Sequence, residues 1–341
     1  MKLPVHSSTI RRKEMDAVLT CMVAEKIGPG EMNQKLVSLA REFFGVEGAT
    51  AFRSGAIALQ YAIKALDLPP QSGIILSALA PAWHYQQVVS LGYTPLVTDV
   101  SPDTGLLTVE GIESAIAKGG RLILLHETLG FLPDMNAILA LNLPVIEDIS
   151  QSIGATLDEK TAGSFGVFSI VGLEECDLLT AGGGALLLSA GKREATVQKR
   201  LSDEAPLTDI LPDINSALAY IQLKEFPKNA EIRREMSALY TSSLMQGRHK
   251  TFIQQGDGIS AVYSFPVILS SGLKEVRQYV HRKDIEIEET YACTIATLLG
   301  ETLEGCINAL SLSMRCVLFP LYPRLGTANA AKIAKVLATL P

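Results

Sequence analysis

Short apolar runs recur through the first half of this chain with helical segments between them, and that alternation narrows the possible folds more than any other feature. The runs are Ile74–Leu79, Pro95–Val97, Leu122–Leu125 and Val145–Ile146. Strands of this kind, buried on both faces and spaced by helices, build parallel βαβ units. Glu31 to Phe44 carries apolar side chains at helical spacing and stops at Gly45. Ala56 to Leu66 forms a second amphipathic helix between the Ser54-Gly55 turn and Pro69-Pro70. Gly182-Gly183-Gly184 feeds the apolar strand Ala185–Leu188. Ile214 to Glu225 and Ala230 to Leu244 read as two helices at a hinge, with the charges of 223–235 forming a solvated face. The expected division is a large domain over 1–225 with a mainly parallel central sheet, and a smaller α/β domain over 226–341. The second holds a strand at Val262–Leu269 and helices around Leu273–Arg282 and Ala330–Leu340.

Composition excludes several classes. The 341 residues are 48% hydrophobic and 19% charged, which suits about two domains of roughly 100–200 residues. A net charge of −6 with dispersed Lys and Arg provides no basic stripe for nucleic acid. The longest uncharged stretch, Leu68 to Thr98, contains Pro69, Pro70, Pro81, His84, Gln86 and Gln87, so buried sheet and helix are expected there and no membrane span. The opening residues turn charged within a dozen positions, and no secretory signal is expected. Cys21, Cys176, Cys293, Cys306 and Cys316 form no CxxC pair. They read as reduced thiols of a cytoplasmic protein without a metal site.

Candidate chemistry lies at strand ends. Glu147-Asp148-Ile149-Ser150-Gln151 follows an apolar strand, where open α/β folds place ligands and where a solvated strand end with a helix cap also fits. Ser54-Gly55-Ala56 opens a helix whose backbone N–H groups could hold an anion, although a plain serine cap has the same pattern. Gly182-Gly183-Gly184 lacks the Lys-Ser/Thr of a P-loop, so a tight turn is the stronger reading. Trp83, in Trp83-His84-Tyr85, could stack on a flat ligand ring or simply pack. His126 suits a hydrogen-bonded structural histidine better than a proton carrier.

Taken in order, EKIGPGEMNQKLVSLAREFFGVEGATAFRSGAIAL, GYTPLVTDVSPDTG, LLHETLGFLPDMNAI, PVIEDISQSIGAT, GSFG with FSI, LTAGGGALLLS, INSALAYIQLKEF and FPLYPRL resemble the DegT/DnrJ/StrS-type sugar aminotransferases. These are fold-type I enzymes dependent on pyridoxal phosphate (PLP), and the resemblance covers almost the whole chain. It implies that Asp148 pairs with the cofactor's pyridinium nitrogen and that Gln151 lies near its phenolic oxygen. It places Ser54, Gly55 and Ala56 at the phosphate, with Ala56 in a position where the family has a hydroxyl residue. Ser169 corresponds to a serine that also reaches the phosphate. Pro81 falls in the slot of the stacking aromatic, for which Trp83 or His84 could substitute. Thr208 and Ile210 stand where the neighbouring subunit's Asn and a nearby Arg are expected. A homodimer and a nucleotide-sugar ligand follow from the same resemblance.

The Schiff-base lysine has no counterpart. Its slot falls on Glu174, Glu175 or Cys176, in the acid-rich stretch ending at Asp177, and no Lys or Arg occurs between Lys160 and Lys192. Transamination needs an amine that forms an imine with PLP and then shuttles a proton, and a carboxylate cannot form that imine. The expectation is therefore a divergent relative that binds a small ligand, with no covalent cofactor and no catalytic residue assigned. The alternative is an active PLP- or PMP-dependent aminotransferase or dehydratase, PMP being the aminated cofactor, with Glu174 or Glu175 as base. Lys192 is the nearest substitute amine, beyond the Ala185–Leu188 strand.

Overall fold

The computed structural model describes residues 2–254 and 256–341. Strands β1 (Gly48–Phe52), β2 (Gly73–Ser77), β3 (Thr94–Thr98), β4 (Gly120–His126) and β5 (Val145–Asp148) precede a short hairpin of β6 (Thr156–Leu157) and β7 (Lys160–Thr161). Then come β8 (Phe168–Gly172) and β9 (Ala185–Ser189). All but the hairpin join one sheet in the order β1-β9-β8-β5-β4-β2-β3. β3, β2, β4, β5 and β8 run parallel, while β9 pairs antiparallel with both β8 and β1. Every residue of β2, β5, β8 and β9 is buried. That double-sided burial is why these strands lack polar alternation in the sequence.

Helices α1 (Arg12–Val23), α2 (Glu31–Phe44), α3 (Gly55–Leu66), α4 (Ala82–Ser90), α5 (Val109–Ala117), α6 (Met135–Ala140) and α7 (Lys192–Asp203) accompany the sheet. Helix α8 (Asp213–Leu244) leads to the smaller three-stranded sheet. Its strands β10 (Phe265–Ile268), β11 (Glu288–Glu289) and β12 (Cys316–Phe319) lie in the order β10-β12-β11. The three glycines at 182–184 all take positive φ, and the turn folds onto Leu173, whose carbonyl accepts from Ala181 N and Gly183 N.

Two expectations change along α8. The two helices and intervening hinge are one unbroken 32-residue helix with Pro227 inside. Ala219, Leu223 and Phe226 pack in the core beneath the large sheet, whereas Met236, Tyr240 and Leu244 pack in that of the small sheet. Burial of both halves outweighs the ~3 kcal/mol that a helix-interior proline costs. The charged stretch is not wholly solvated either. Arg233 is buried, and its Nη1 donates to the Tyr263 carbonyl (2.6 Å) and the Leu321 carbonyl (2.9 Å). Burial lowers the Arg233 pKa to about 10, so the guanidinium stays charged at neutral pH. At the other end of the chain, Leu3 bridges Ile285 and joins the small-sheet core.

The start of α8 also fastens the segment beside β1. Asp213 Oδ1 accepts from Gly30 N and Asn33 N, both at 2.9 Å, which caps α2 from outside that helix. The Asn33 amide donates to the Leu211 carbonyl at 2.8 Å. Asp213→Ala should cost about 1–3 kcal/mol in urea unfolding. An unchanged midpoint would mean that this cap carries no stability.

Candidate functional site

The carboxyl ends of β4 and β5 build the site, and strand alternation divides their acids between two faces. Glu147 turns away from the cavity. Its carboxylate accepts from Gly163 N (2.9 Å), Phe165 N (2.9 Å) and Gly166 N (2.6 Å), and so moulds the GSFG turn. Beside it Glu127, also fully buried, bonds to the Ser152 hydroxyl. Burial and the neighbouring Glu147 charge push the Glu127 pKa well above the carboxylate range, so this acid keeps its proton. These two glutamates are structural.

Asp148 faces the cavity. Its Oδ2 lies 2.9 Å from His126 Nδ1 and 3.1 Å from His84 Nε2. Its Oδ1 accepts from Ser150 N (3.1 Å) and Ser150 Oγ (2.5 Å), and that hydroxyl in turn accepts from Gly172 N (2.8 Å). Burial pushes the Asp148 pKa up, but the two imidazoles outweigh it and hold the carboxyl well below its ordinary range. His84 is fully buried; desolvation lowers its pKa below the ordinary value, so its ring is neutral near pH 7.

A cavity of about 310 Å³ opens in front of this carboxylate. Ser54, Gly55, Ala56, Trp83, Asp148 and Gln151 all line it, together with Pro81, His126, Ser150, Glu174 and Asp177. The Ser54 hydroxyl accepts from Ile57 N (3.2 Å) and caps α3, while Gly55 and Ala56 stand in the first turn, whose N–H groups have no intrahelical acceptor. The Trp83 indole lies against Gly55, where an added Cβ would meet it at 3.1 Å, and edge-on to the His84 ring at 4.1 Å. Gln151 Oε1 accepts from Leu129 N (2.7 Å), steadying a leucine held at φ 59°.

Some sequence candidates lie elsewhere. Ser169 is not among the lining residues. Neighbouring Ile170 and Gly172 take the cavity face, and the Ser169 hydroxyl donates to the Gly163 carbonyl (3.1 Å), so in this placement it does not reach a phosphate there. Thr208 is exposed and Ile210 bridges Phe52, positions that the resemblance directs at a neighbouring subunit's cavity and not at their own. Lys192 follows the far end of β9, whose near end meets the cavity through Gly184. Sequence reading named His84, Ser150 and Asp177 only as neighbours in candidate segments and gave none of them a contact with Asp148 or a place beside it. For His84 the only signal was a histidine next to Trp83, and nothing in spacing tied it to Asp148, 64 positions on.

Asp177 is the least settled charge in the cavity. Its carboxylate accepts from Glu174 N (2.8 Å), and a Cβ on Gly172 would collide with it. Desolvation, opposed by that hydrogen bond and reinforced by the charge of Asp148, raises its pKa from 3.8 to about 7. Between those values the native state binds more protons than the unfolded chain, so stability falls as pH rises from about 4 through about 7 and is level above. Asp177→Asn should remove that slope. Relative to the variant, wild type loses up to about 4 kcal/mol between the two limits, less the screening that partial exposure allows. Parallel pH profiles of the unfolding free energy would refute the assignment.

Comparison with known proteins agrees with this architecture. A model of the DegT/DnrJ/EryC1/StrS aminotransferase family matches residues 8–338. UDP-N-acetyl-3-dehydro-alpha-D-glucosamine 3-aminotransferase of Acidithiobacillus ferrooxidans is 26% identical over 326 residues, covering 90% of this chain and 88% of that one. The aminotransferase TlmJ from Streptoalloteichus hindustanus matches in structure with a TM-score of 0.89 at 17% identity, over 98% of each chain. E. coli GDP-4-keto-6-deoxy-D-mannose-3-dehydratase with bound hydrated PLP matches with a TM-score of 0.87 at 17% identity, over 99% of each chain. The α/β fold is that of the PLP-dependent aminotransferases. On the match from residue 8 to residue 338, the chain belongs to the DegT/DnrJ/EryC1/StrS aminotransferase family.

Proposed function

We propose that this protein is a non-transaminating member of its family that holds a nucleotide-linked sugar by its sugar end in the Asp148 cavity. The observation that supports this reading is the charge of the lining. Asp148, Glu174 and Asp177 contribute carboxyls, and no Lys or Arg is among the lining residues. Without a primary amine at the site, no imine with an aldehyde forms and amino-group exchange has no carrier.

The residues present do not fit a pyridoxal-type cofactor. The N–H groups of Gly55 and Ala56 suit a phosphate, but besides Asp148 the carboxyls of Glu174 and Asp177 share the cavity with it and no Lys or Arg offsets them. Each unit pair of like charges at 4 Å costs on the order of 4 kcal/mol at an effective dielectric near 20. The Asp148 oxygens are already engaged by His126, His84 and Ser150. Sugar hydroxyls, in contrast, are donors that carboxylates accept, and a diphosphate can stay outside the cavity mouth. Relatives named for UDP- and GDP-linked sugars favour that ligand class.

A second reading is an active PLP- or PMP-dependent aminotransferase or dehydratase acting on a nucleotide-linked keto-sugar. It is favoured by Asp177, a cavity carboxyl whose pKa of about 7 suits a general base. The cytoplasm is the compartment that suits five unpaired thiols. Among the described residues no helix is long and apolar enough to cross a membrane. The proposed division keeps a large domain over 1–225 and a small one over 226–341, joined through α8.

With PLP, an amino donor and a nucleotide-linked keto-sugar, the purified protein should stay colourless, resist borohydride trapping and yield no amino sugar. Calorimetry should register binding of a UDP- or GDP-linked sugar. An amino-sugar product in the mass spectrum would overturn the reading. We also propose a homodimer that uses α1, where Met15, Leu19, Met22 and Val23 are exposed at helical spacing. Light scattering should give a dimer mass for wild type and a monomer mass for Leu19→Glu. A wild-type monomer would reject that interface.

A further inference from the structure

A strained turn after β4 links the Asp148 cavity to a second one, and residues of both cavities hold it. Leu129 takes φ 59° and Gly130 φ 90°. From the first cavity, Gln151 presents Oε1 to Leu129 N (2.7 Å). From the second, Ala261 N donates to the Gly130 carbonyl (2.9 Å). The Gln254 amide, also in the second, accepts from Leu132 N (3.1 Å) and donates to its carbonyl (2.9 Å). Gly130 is wedged so tightly that an added Cβ would collide with the Ala261 carbonyl. A leucine at positive φ persists only where its surroundings hold it.

The second cavity has a volume of about 480 Å³ and shares no lining residue with the first. Small-molecule sites span roughly 300–1,000 Å³. It opens between the C-terminal half of α8 and the segment from His249 to Pro266. Leu129, Phe131, Leu244, Phe252, Val262 and Phe265 give it a largely apolar surface. Ser237 and Thr241, one turn apart on α8, line it with short side chains that leave the space open. Its formal charge has one sign. Lys250 is the only Lys, Arg, Asp or Glu among the described lining residues, and it joins no ion pair among the described residues. His249 adds no second charge near pH 7, because its Nδ1 accepts from Ser270 N (3.1 Å) and desolvation lowers its pKa. An apolar chain fits against the phenyl rings, and one carboxylate on that chain meets the exposed Lys250 ammonium.

We propose that the second cavity is a binding site for a carboxylate carried on an apolar chain, and that its occupancy reaches the Asp148 cavity through the Leu129–Gln151 hydrogen bond. A ligand seated there touches Leu129, Ala261 and Gln254, three of the residues that set the turn, and so bears on the fourth, Gln151. Coupling of this kind is reciprocal, so whatever fills the Asp148 cavity also tunes the second site.

The test titrates octanoate into the intact protein by calorimetry, with acetate and octanol as probes that each lack one half of the ligand. Wild type should bind one octanoate per chain at least tenfold more tightly than acetate and about fivefold more tightly than octanol, the worth of one exposed ion pair. Lys250→Met, at an exposed position, should bring octanoate down to octanol, and Thr241→Phe should fill the cavity and remove binding. Octanoate should also change the emission of Trp83, the only tryptophan in the chain, which lines the first cavity and not the second. Gln151→Met should bind octanoate yet lose that emission change. Absence of saturable octanoate binding overturns the proposal, as does octanol binding equally well. A Thr241→Phe protein of altered mass in light scattering would assign the cavity to a second copy instead. An emission change that persists in Gln151→Met overturns the link between the cavities. Should Thr241→Phe fail to fold, Lys250→Met and the two partial probes decide. None of these outcomes depends on whether the Asp148 cavity takes a nucleotide-linked sugar.

Discussion

An ionised carboxylate buried at the end of a parallel strand is the constraint around which this molecule is arranged. Asp148 has almost no access to water, and its charge survives because two imidazoles and the Ser150 N–H and hydroxyl replace the lost hydration. Removing any one partner would leave a buried charge short of compensation, which is far costlier than losing an exposed one. The relative placement of β4, β5, β8 and α4 is therefore coupled to one side chain. Ser150 carries the coupling to β8 through Gly172, and His84 carries it to α4.

The sheet separates two kinds of acid chemistry by facing alone. Glu147 and Asp148 are adjacent, yet strand pleating sends one to a dry structural niche and the other to the cavity. On the first face Glu127 keeps a proton beside Glu147, whose charge is met by three backbone N–H groups. On the second, imidazoles make the neutralising contacts and the carboxyl stays ionised. Asp177, short of cationic neighbours, falls between these extremes. Identical functional groups thus acquire different protonation states within a few strands of one another.

Membership of an aminotransferase family and a cavity lined by acids are compatible, because folds host sites and do not dictate them. The large sheet, the turn at Ser54 and the strand end at Asp148 form the family frame. What occupies the frame here is a set of acceptors. Trp83, packed against Gly55 and against the buried His84 behind it, gives the cavity one wall.

Much of this was legible in the chain itself. Continuous apolar runs located β2, β4, β5 and β9 to within a few residues, because burial on both faces leaves no room for polar alternation, and a shorter run located the edge strand β3. Helical spacing matched α2 from Glu31 to Phe44, and the family motifs brought Ser54, Trp83, Asp148 and Gln151 to one cavity. That no Lys or Arg stands between Lys160 and Lys192 is a matter of residue identity and required no coordinates. Side-chain direction and partnership did not follow from order alone. The segments 214–225 and 230–244 read as two helices, whereas packing on two cores keeps α8 unbroken through Pro227, and Ser169 faces away because its neighbours Ile170 and Gly172 take the cavity side. The pairing of His84 with Asp148 arises from crossover connections between distant segments, and only tertiary structure decides which residues those connections bring into contact, here at 3.1 Å.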